Sequence, residues 1–246
     1  MLLHGLGKLT LLDYPGHLAC TAFTGACNFR CPFCHNALLV LNPASCESID
    51  EETFFRFLAS RKGKLEGVCV TGGEPTLQKD LSEFLARIRT MGFLIKLDTN
   101  GYEPSALRPL IEQRLVDMVA MDIKNSPASY AVTAGLPPEN FDIDKIETSI
   151  SLLISSGIPH EFRTTVVKEL HTREHMRQIG EWLSVLSGRC TGNSRCSSPY
   201  YLQNFRASEH LICNDETMFH PLTDKELTDY VSLLLPYLPN TKIRGE

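Results

Sequence analysis

The chain has 246 residues, 43% hydrophobic and 22% charged, which suits a globular protein with either one large α/β domain or two small ones. Its net charge of −5 removes the basic surface that non-specific nucleic-acid binding requires. The opening MLLHGLGKLTLLDYPGH lacks a long apolar core and a small-residue cleavage site, and no stretch approaches the roughly 18 apolar residues of a membrane span. The reading is a cytoplasmic protein with neither a nucleic-acid nor a membrane partner.

Short β-rich runs alternate with segments of helical period. In chain order, strand Ala19–Thr24 is followed by a helix over 50–61, and strand Gly67–Thr71 by a helix over 78–91. Strand Leu94–Thr99 then precedes a helix over 104–114, and strand Met118–Ile123 a helix over 142–156. Strand Glu161–Val167 leads to a helix over 172–187, and strand Tyr200–Phe205 to a helix over 223–235. Asp50 before EETFFRFLAS and the box Thr223-Asp-Lys-Glu226 are helix-start signals, because a side-chain oxygen and a carboxylate satisfy the orphan amides there. GVCVTG and DMVAMDIK are near-continuous apolar runs, as strands covered on both faces are. Six strand–helix units imply a parallel sheet with right-handed crossovers; a curved partial barrel and an open doubly wound sheet both give this string. GRCTGNSRCSSP, at 188–199, reads as irregular, and with no low-complexity linker the chain reads as a single domain over 1–246, with a core at about 17–205 and a C-terminal extension at about 206–246.

Nine cysteines are many for a reducing compartment, where a tight cluster of thiols points to metal binding or catalysis before disulfides. Cys27, Cys31 and Cys34 form such a cluster in GACNFRCPFCHN; the other six are dispersed. Three ligands do not close a structural zinc site, which wants four. His35 adjoins Cys34 and would strain to reach the same metal, while Cys20 or Cys46 could serve from a distance. A [4Fe–4S] cluster on three cysteines leaves one iron open for substrate. The spacing favours iron–sulfur over zinc and leaves both standing.

The strand ends carry the remaining chemistry. The first strand runs into the cysteine loop, the second into TGGEPT (71–76), the third into DTNG (98–101) and the fourth into DIK (122–124); the fifth contains RTTVV (163–167), and the sixth ends in QNF (203–205). Ligands of parallel α/β folds bind at carboxyl ends of strands, so these loops read as one site. Gly and Asp also end strands simply by making turns, a reading that holds for any one loop taken alone.

C-x3-C-x2-C after a first strand, with Phe33 just before the last cysteine and TGGEP ending a second strand, resembles the radical S-adenosylmethionine (SAM) superfamily. The resemblance implies a partial (βα)6 barrel. It also implies that Cys27, Cys31 and Cys34 hold a [4Fe–4S] cluster whose open iron is chelated by SAM, and that one electron from the cluster breaks the sulfonium bond to give a 5′-deoxyadenosyl radical. Gly72, Gly73 and Glu74 would then hold the methionyl ammonium, glycine allowing close backbone approach. Phe33, Asp98, Asn100, Asp122 and Lys124 would complete the cofactor site.

More narrowly, DYPG…ACTAFTGACNFRCPFCHN with TGGEPTLQ, DTNG and DIK is similar to the glycyl-radical-enzyme activating family, over about residues 8–205. That family includes activators of pyruvate formate-lyase and of anaerobic ribonucleoside-triphosphate reductase. The likeness implies a glycyl radical enzyme as protein substrate and a flavodoxin or ferredoxin as electron donor. It also implies a monovalent cation near Asp98, Thr99 and Asp122, a role that competes with SAM contact for Asp98 and Asp122. Two departures stand out. Ala26 replaces the glycine that many members have before the first cysteine, and since Ala disfavours positive φ the loop is expected to enter differently. Residues 35–49 are too short for the eight-cysteine insertion of some activators, which favours the smaller type.

Rival functions are a radical SAM enzyme acting on a small molecule or nucleobase, and a non-catalytic zinc-binding interaction module. Cys190, Cys196 and Cys213 match no metal pattern well and read as free thiols, with an auxiliary metal site as the alternative. Cys20 and Cys69 read as buried small hydrophobes. Arg163 reads equally as a carboxylate-binding group or one half of a surface ion pair. Gln203 and Asn204 read as polar groups at the barrel mouth, and YVSLLLPYLP (230–239) as a covering terminal helix in preference to a membrane-surface segment.

Overall fold

A computed structural model describes the chain except at residues 193–194, 209–210, 214, 216 and 245–246. It divides into two compact units, Met1–Asn28 with Asn36–Ala120, and Phe29–His35 with Met121–Glu246.

The first unit opens with β1 (Leu3–Thr10), which runs antiparallel to β2 (Ala19–Thr24). After α1 (Ala37–Leu41) and α2 (Glu51–Ser60) come β3 (Gly67–Gly72), α3 (Leu81–Thr90), β4 (Leu94–Thr99) and α4 (Pro104–Glu112). β2, β3 and β4 are parallel neighbours, Val70 pairing with Ala22 on one side and Leu97 on the other. Each helix returns the chain so that the next strand joins in the same direction. The Asp50 carboxylate caps α2 by accepting the Thr53 N–H at 2.8 Å. Phe54, Phe55 and Phe84 pack ring to ring at 5.2–5.4 Å, and Leu58, Leu85, Val68, Val70, Ile95 and Leu97 are fully buried around them. Cys20 and Cys69 are also fully buried, and burial pushes the Cys20 thiol up to about 12, so both behave as the small hydrophobes expected.

β5 (Met118–Asp122) begins where Asp117 exchanges hydrogen bonds of 2.8 Å with the backbone of Ile95. In the second unit its end is tied to the next strand by the Ile123 N–H on the Arg163 carbonyl at 2.7 Å. The chain continues through α5 (Tyr130–Thr133), α6 (Ile143–Ser156), β6 (His160–Val166), α7 (Arg173–Thr191), β7 (Tyr200–Asn204), α8 (Asp224–Leu234) and β8 (Thr241–Ile243). β6, β7 and β8 are parallel neighbours. Phe162, Val166, Tyr200 and Leu202 are buried, whereas Arg163, Thr165, Tyr201 and Gln203 remain partly exposed. α8 carries the Thr223/Glu226 capping box, and Leu234 and Tyr237 pack on Gly180 of α7, so the apolar C-terminal run covers another helix. Among the described residues no helix is long and apolar enough to cross a membrane.

Among the described residues eight strands stand where six were expected. β1 was hidden because LHGLGKLT holds two glycines and no clean alternation, and β8 because it has three residues. The stretch at 188–199 is irregular only in part, since α7 extends to Thr191. Arg163 lies inside β6, as the reading of strand Glu161–Val167 placed it.

Candidate active site

In the first unit the site is built where β2, β3 and β4 end. Ala26 takes a φ of 64°, in the left-handed region, so the expectation that alanine would avoid it is corrected. Flanking hydrogen bonds hold it there. The Ala26 N–H donates to the Leu39 carbonyl at 2.8 Å, and the Ala26 carbonyl accepts the Glu74 N–H at 2.8 Å. Gly73 donates to the Thr24 carbonyl at 2.9 Å, and Asn36 Nδ2 to the Gly72 carbonyl at 3.0 Å. Gly72 has a φ of 123°, and a Cβ on Gly73 would stand 1.9 Å from the Ala26 carbonyl oxygen, so neither position admits a side chain.

Glu74 is fully buried. Its Oε1 accepts the Thr76 N–H at 3.0 Å, the Thr76 hydroxyl at 2.5 Å and the Thr99 hydroxyl at 2.7 Å, while Oε2 accepts the Asn100 N–H at 2.7 Å. Burial raises its pKa, and the Asn100, Thr76 and Thr99 donors pull the other way. The carboxylate thus ties the TGGEPT loop to the DTNG loop. Asn100 in turn donates to Asn28 Oδ1 at 2.7 Å and towards Cys27 Sγ at 3.7 Å. On β4, Lys96 is 1% exposed and donates to the Asp98 carboxylate, which is 12% exposed. A side chain of this protein therefore already balances the charge of Asp98.

In the second unit, residues 29–35 of the cysteine loop are held by several packing partners. The Arg30 N–H donates to the Ala134 carbonyl at 2.8 Å, and Gly135, with φ 70°, lies so close that a Cβ would stand 2.0 Å from the Arg30 carbonyl oxygen. Phe33 packs edge-on against Phe219, His35 stacks on Phe205, and the Cys213 N–H donates to the Pro32 carbonyl at 3.1 Å. Cys31 is buried and Cys34 partly exposed.

Asp122 lies between two cations. Lys124 Nζ reaches its Oδ2 at 2.9 Å, and Arg163 reaches Oδ1 through Nε at 3.1 Å and Nη2 at 3.0 Å. Burial works to raise its pKa, but Lys124 and Arg163 hold it down to about 2. Burial works to lower the Lys124 pKa, but Asp122 and the Cys31 thiol raise it on balance. Arg163 is thus half of a largely buried ion pair, not a surface one. Gln203 stands in register with Thr165, and the Asn204 amide is engaged with the Leu222 backbone at 2.7 and 2.9 Å.

A model of the radical SAM superfamily matches residues 21–183. The chain belongs to the radical SAM superfamily. A protein of Methanocaldococcus jannaschii, provisionally named a glycyl-radical enzyme activating enzyme, is 32% identical over 185 residues, covering 73% of this chain and 74% of that protein. The GTP 3′,8-cyclase of Helicobacter pylori is 30% identical over 136 residues, 54% of this chain and 36% of the cyclase. Among solved structures, a radical SAM methyltransferase from Sphaerobacter thermophilus superposes with a TM-score of 0.67 at 14% identity, covering 94% of this chain and 67% of that one. The α/β fold of this radical SAM enzyme is therefore the family's partial-barrel type, as expected. The zinc-module reading falls, since the family is one of enzymes that use a [4Fe–4S] cluster and SAM.

The donor set of this radical SAM enzyme fits such a cluster. Cys27, Cys31 and Cys34 form no disulfide and make a soft ligand set suited to iron–sulfur binding, and the largely buried Lys124 ammonium acts electrostatically on Cys31. Among the described residues no group of three His, Cys, Asp or Glu side chains stands together as a metal site. Cys190, Cys196 and Cys213 each meet a different partner: the Ser151 carbonyl, the Tyr237 backbone and the Pro32 backbone.

Thr76, Asn28, Lys96 and Tyr130, whose hydroxyl donates to the Asp122 carbonyl at 3.1 Å, escaped the sequence reading. Lys96 left a signal: in LIKLDT it shares a strand face with Asp98 two residues on.

Proposed function

We propose that this radical SAM enzyme installs a glycyl radical on a partner enzyme, such as an anaerobic ribonucleoside-triphosphate reductase. Cys27, Cys31 and Cys34 hold the [4Fe–4S] cluster. When bound, the cluster would supply the electron for reductive cleavage of SAM, and the 5′-deoxyadenosyl radical so formed would take a hydrogen atom from a backbone glycine. The observation that carries the reading is the close fit of the Gly72–Gly73–Glu74 loop to the backbone that enters the cysteine loop at Ala26. The relative from Methanocaldococcus jannaschii supports the glycine target, because this chain spans most of its length.

In this reading Gly72 and Gly73 offer bare backbone to the methionyl ammonium. The buried Glu74 carboxylate accepts hydrogen bonds from Thr76, Thr99 and Asn100, and in this reading it supplies the negative field that favours the ammonium while keeping both loops in place. Lys124, beside Cys31, and Arg163, held by Asp122, supply fixed positive charge for carboxylate recognition. The partner presents its glycine on a loop, and a flavodoxin or ferredoxin delivers the electron. A monovalent cation near Asp98, Thr99 and Asp122 would have to share those carboxylates with Lys96, Lys124 and Arg163.

The test uses protein purified without oxygen and reconstituted with iron and sulfide. Dithionite reduction should give a [4Fe–4S]⁺ electron paramagnetic resonance signal that changes on adding SAM, with 5′-deoxyadenosine formed. Adding a glycyl radical enzyme should then produce a glycyl doublet in that second protein. Turnover of GTP or another nucleobase substrate without such a doublet would replace the proposal with the small-molecule alternative.

A further inference from the structure

Asn100 closes β4 with its side chain 6% exposed and its amide locked in one orientation. Oδ1 accepts the Tyr102 N–H at 2.9 Å, so the amide cannot flip without setting donor against donor. That leaves two N–H groups on Nδ2. One reaches Asn28 Oδ1 at 2.7 Å, and the other lies towards Cys27 Sγ at 3.7 Å, within reach of a sulfur acceptor. Both ends of the arrangement are braced: the Asn100 N–H donates to the buried Glu74 carboxylate at 2.7 Å, and Asn28 Nδ2 to Glu103 Oε1 at 3.4 Å.

We propose that Asn100 is a positioning residue for Cys27, donating an N–H···S hydrogen bond that sets how readily a cluster on that sulfur is reduced. The proposal rests on Cys27 being a cluster ligand, as argued above. A ligating sulfur accepts only, so a preoriented N–H beside it is attractive in either redox state. It is more attractive in the reduced state, because the added electron places more negative charge on the sulfurs, and hydrogen bonds to those sulfurs raise the reduction potential. The bond also fixes the Cys27 side chain from the same loop that Glu74 anchors, so the electronic and positional effects come from one amide.

The experiment compares reconstituted wild type with Asn100→Ala, Asn100→Asp and Asn28→Ala, each assayed for iron and sulfide and titrated with dithionite by electron paramagnetic resonance. Asn100→Ala should keep its cluster and show a lower midpoint potential. Asn100→Asp, which keeps the acceptor for Tyr102 but replaces the donor with a negative oxygen, should be lower still. Asn28→Ala leaves the Asn100 N–H on sulfur but removes the Oδ1 that stands 3.9 Å from Cys27 Sγ, so it should not lower the midpoint potential as Asn100→Ala does. A fully loaded Asn100→Ala with the wild-type potential would overturn the proposal, as would equal shifts in Asn100→Ala and Asn28→Ala, which would mean general loosening of the loop. A measurement on the wild type needs no variant to fold. With ¹⁵N in asparagine side-chain amides, pulsed spectroscopy of the reduced cluster should show a ¹⁵N coupling, and its absence would also overturn the assignment. Failure of wild type to bind iron at all would instead sink the cluster reading itself.

Discussion

The amide of Glu74 hydrogen-bonds the carbonyl of Ala26 at 2.8 Å, so the glycine-rich loop and the residue before Cys27 form one piece of backbone structure. What happens at either side of that bond decides whether Cys27 is presented correctly.

Gly73 is the more sensitive side. A Cβ there would meet the Ala26 carbonyl oxygen at 1.9 Å, a backbone atom that cannot rotate away. Gly73→Ala should therefore push the loops apart, at a cost of about 1–3 kcal/mol typical of overpacking. The expected outcome is a lower melting temperature together with loss of reconstituted iron and sulfide. Normal iron loading at unchanged stability would contradict the close fit.

Ala26 is the opposite case. It holds a φ of 64°, which costs an L-residue about 1–2 kcal/mol relative to glycine, partly offset because glycine loses more freedom on folding. Ala26→Gly should stabilise the protein by about 1 kcal/mol or less and leave iron loading intact. Urea denaturation of both proteins measures this directly.

Lys96 and Asp98 form a pair in which the ammonium is nearly inaccessible to water. Asp98→Asn strands that charge, and removing one partner of a buried pair costs about 3–5 kcal/mol. The double variant Lys96→Met with Asp98→Leu should recover most of the loss. Calorimetry of the three variants checks both halves, and an unaltered Asp98→Asn melting temperature would show that Lys96 finds another partner.

His171 predicts an acid dependence. It is fully buried, its Nε2–H donates to the Lys124 carbonyl at 2.8 Å, and its Nδ1 accepts the Val167 N–H at 3.0 Å. Burial lowers its pKa from 6.5 to about 4, against backbone hydrogen bonds that act to raise it. A depressed pKa means the unfolded chain binds the proton first, so the contribution is complete above pH 6.5 and is lost as pH falls through about 4. The full effect is about 3 kcal/mol. Denaturant midpoints of wild type should fall more steeply over that window than those of His171→Gln, which can keep both hydrogen bonds without titrating; parallel slopes would contradict this.

The chemistry of this radical SAM enzyme was largely legible in its sequence. C-x3-C-x2-C, TGGEP, DTNG and DIK are contiguous, and the loops that carry them sit at strand ends whose β2, β3, β4 and β5 periodicity is strong. A local pattern needs no folding to be read. What the sequence could not supply was which donors meet which acceptors. Glu74 finds Thr99 and Asn100 25 and 26 residues away, and Asn100 finds Cys27 73 residues away, because parallel strands bring their carboxyl ends together across intervening helices. The same holds for Arg163, whose ion-pair partner Asp122 lies 41 residues earlier. Residue types and spacing determined the kind of chemistry; only the tertiary structure decided that the polar groups are already paired with one another, since pairing is the condition for burying them.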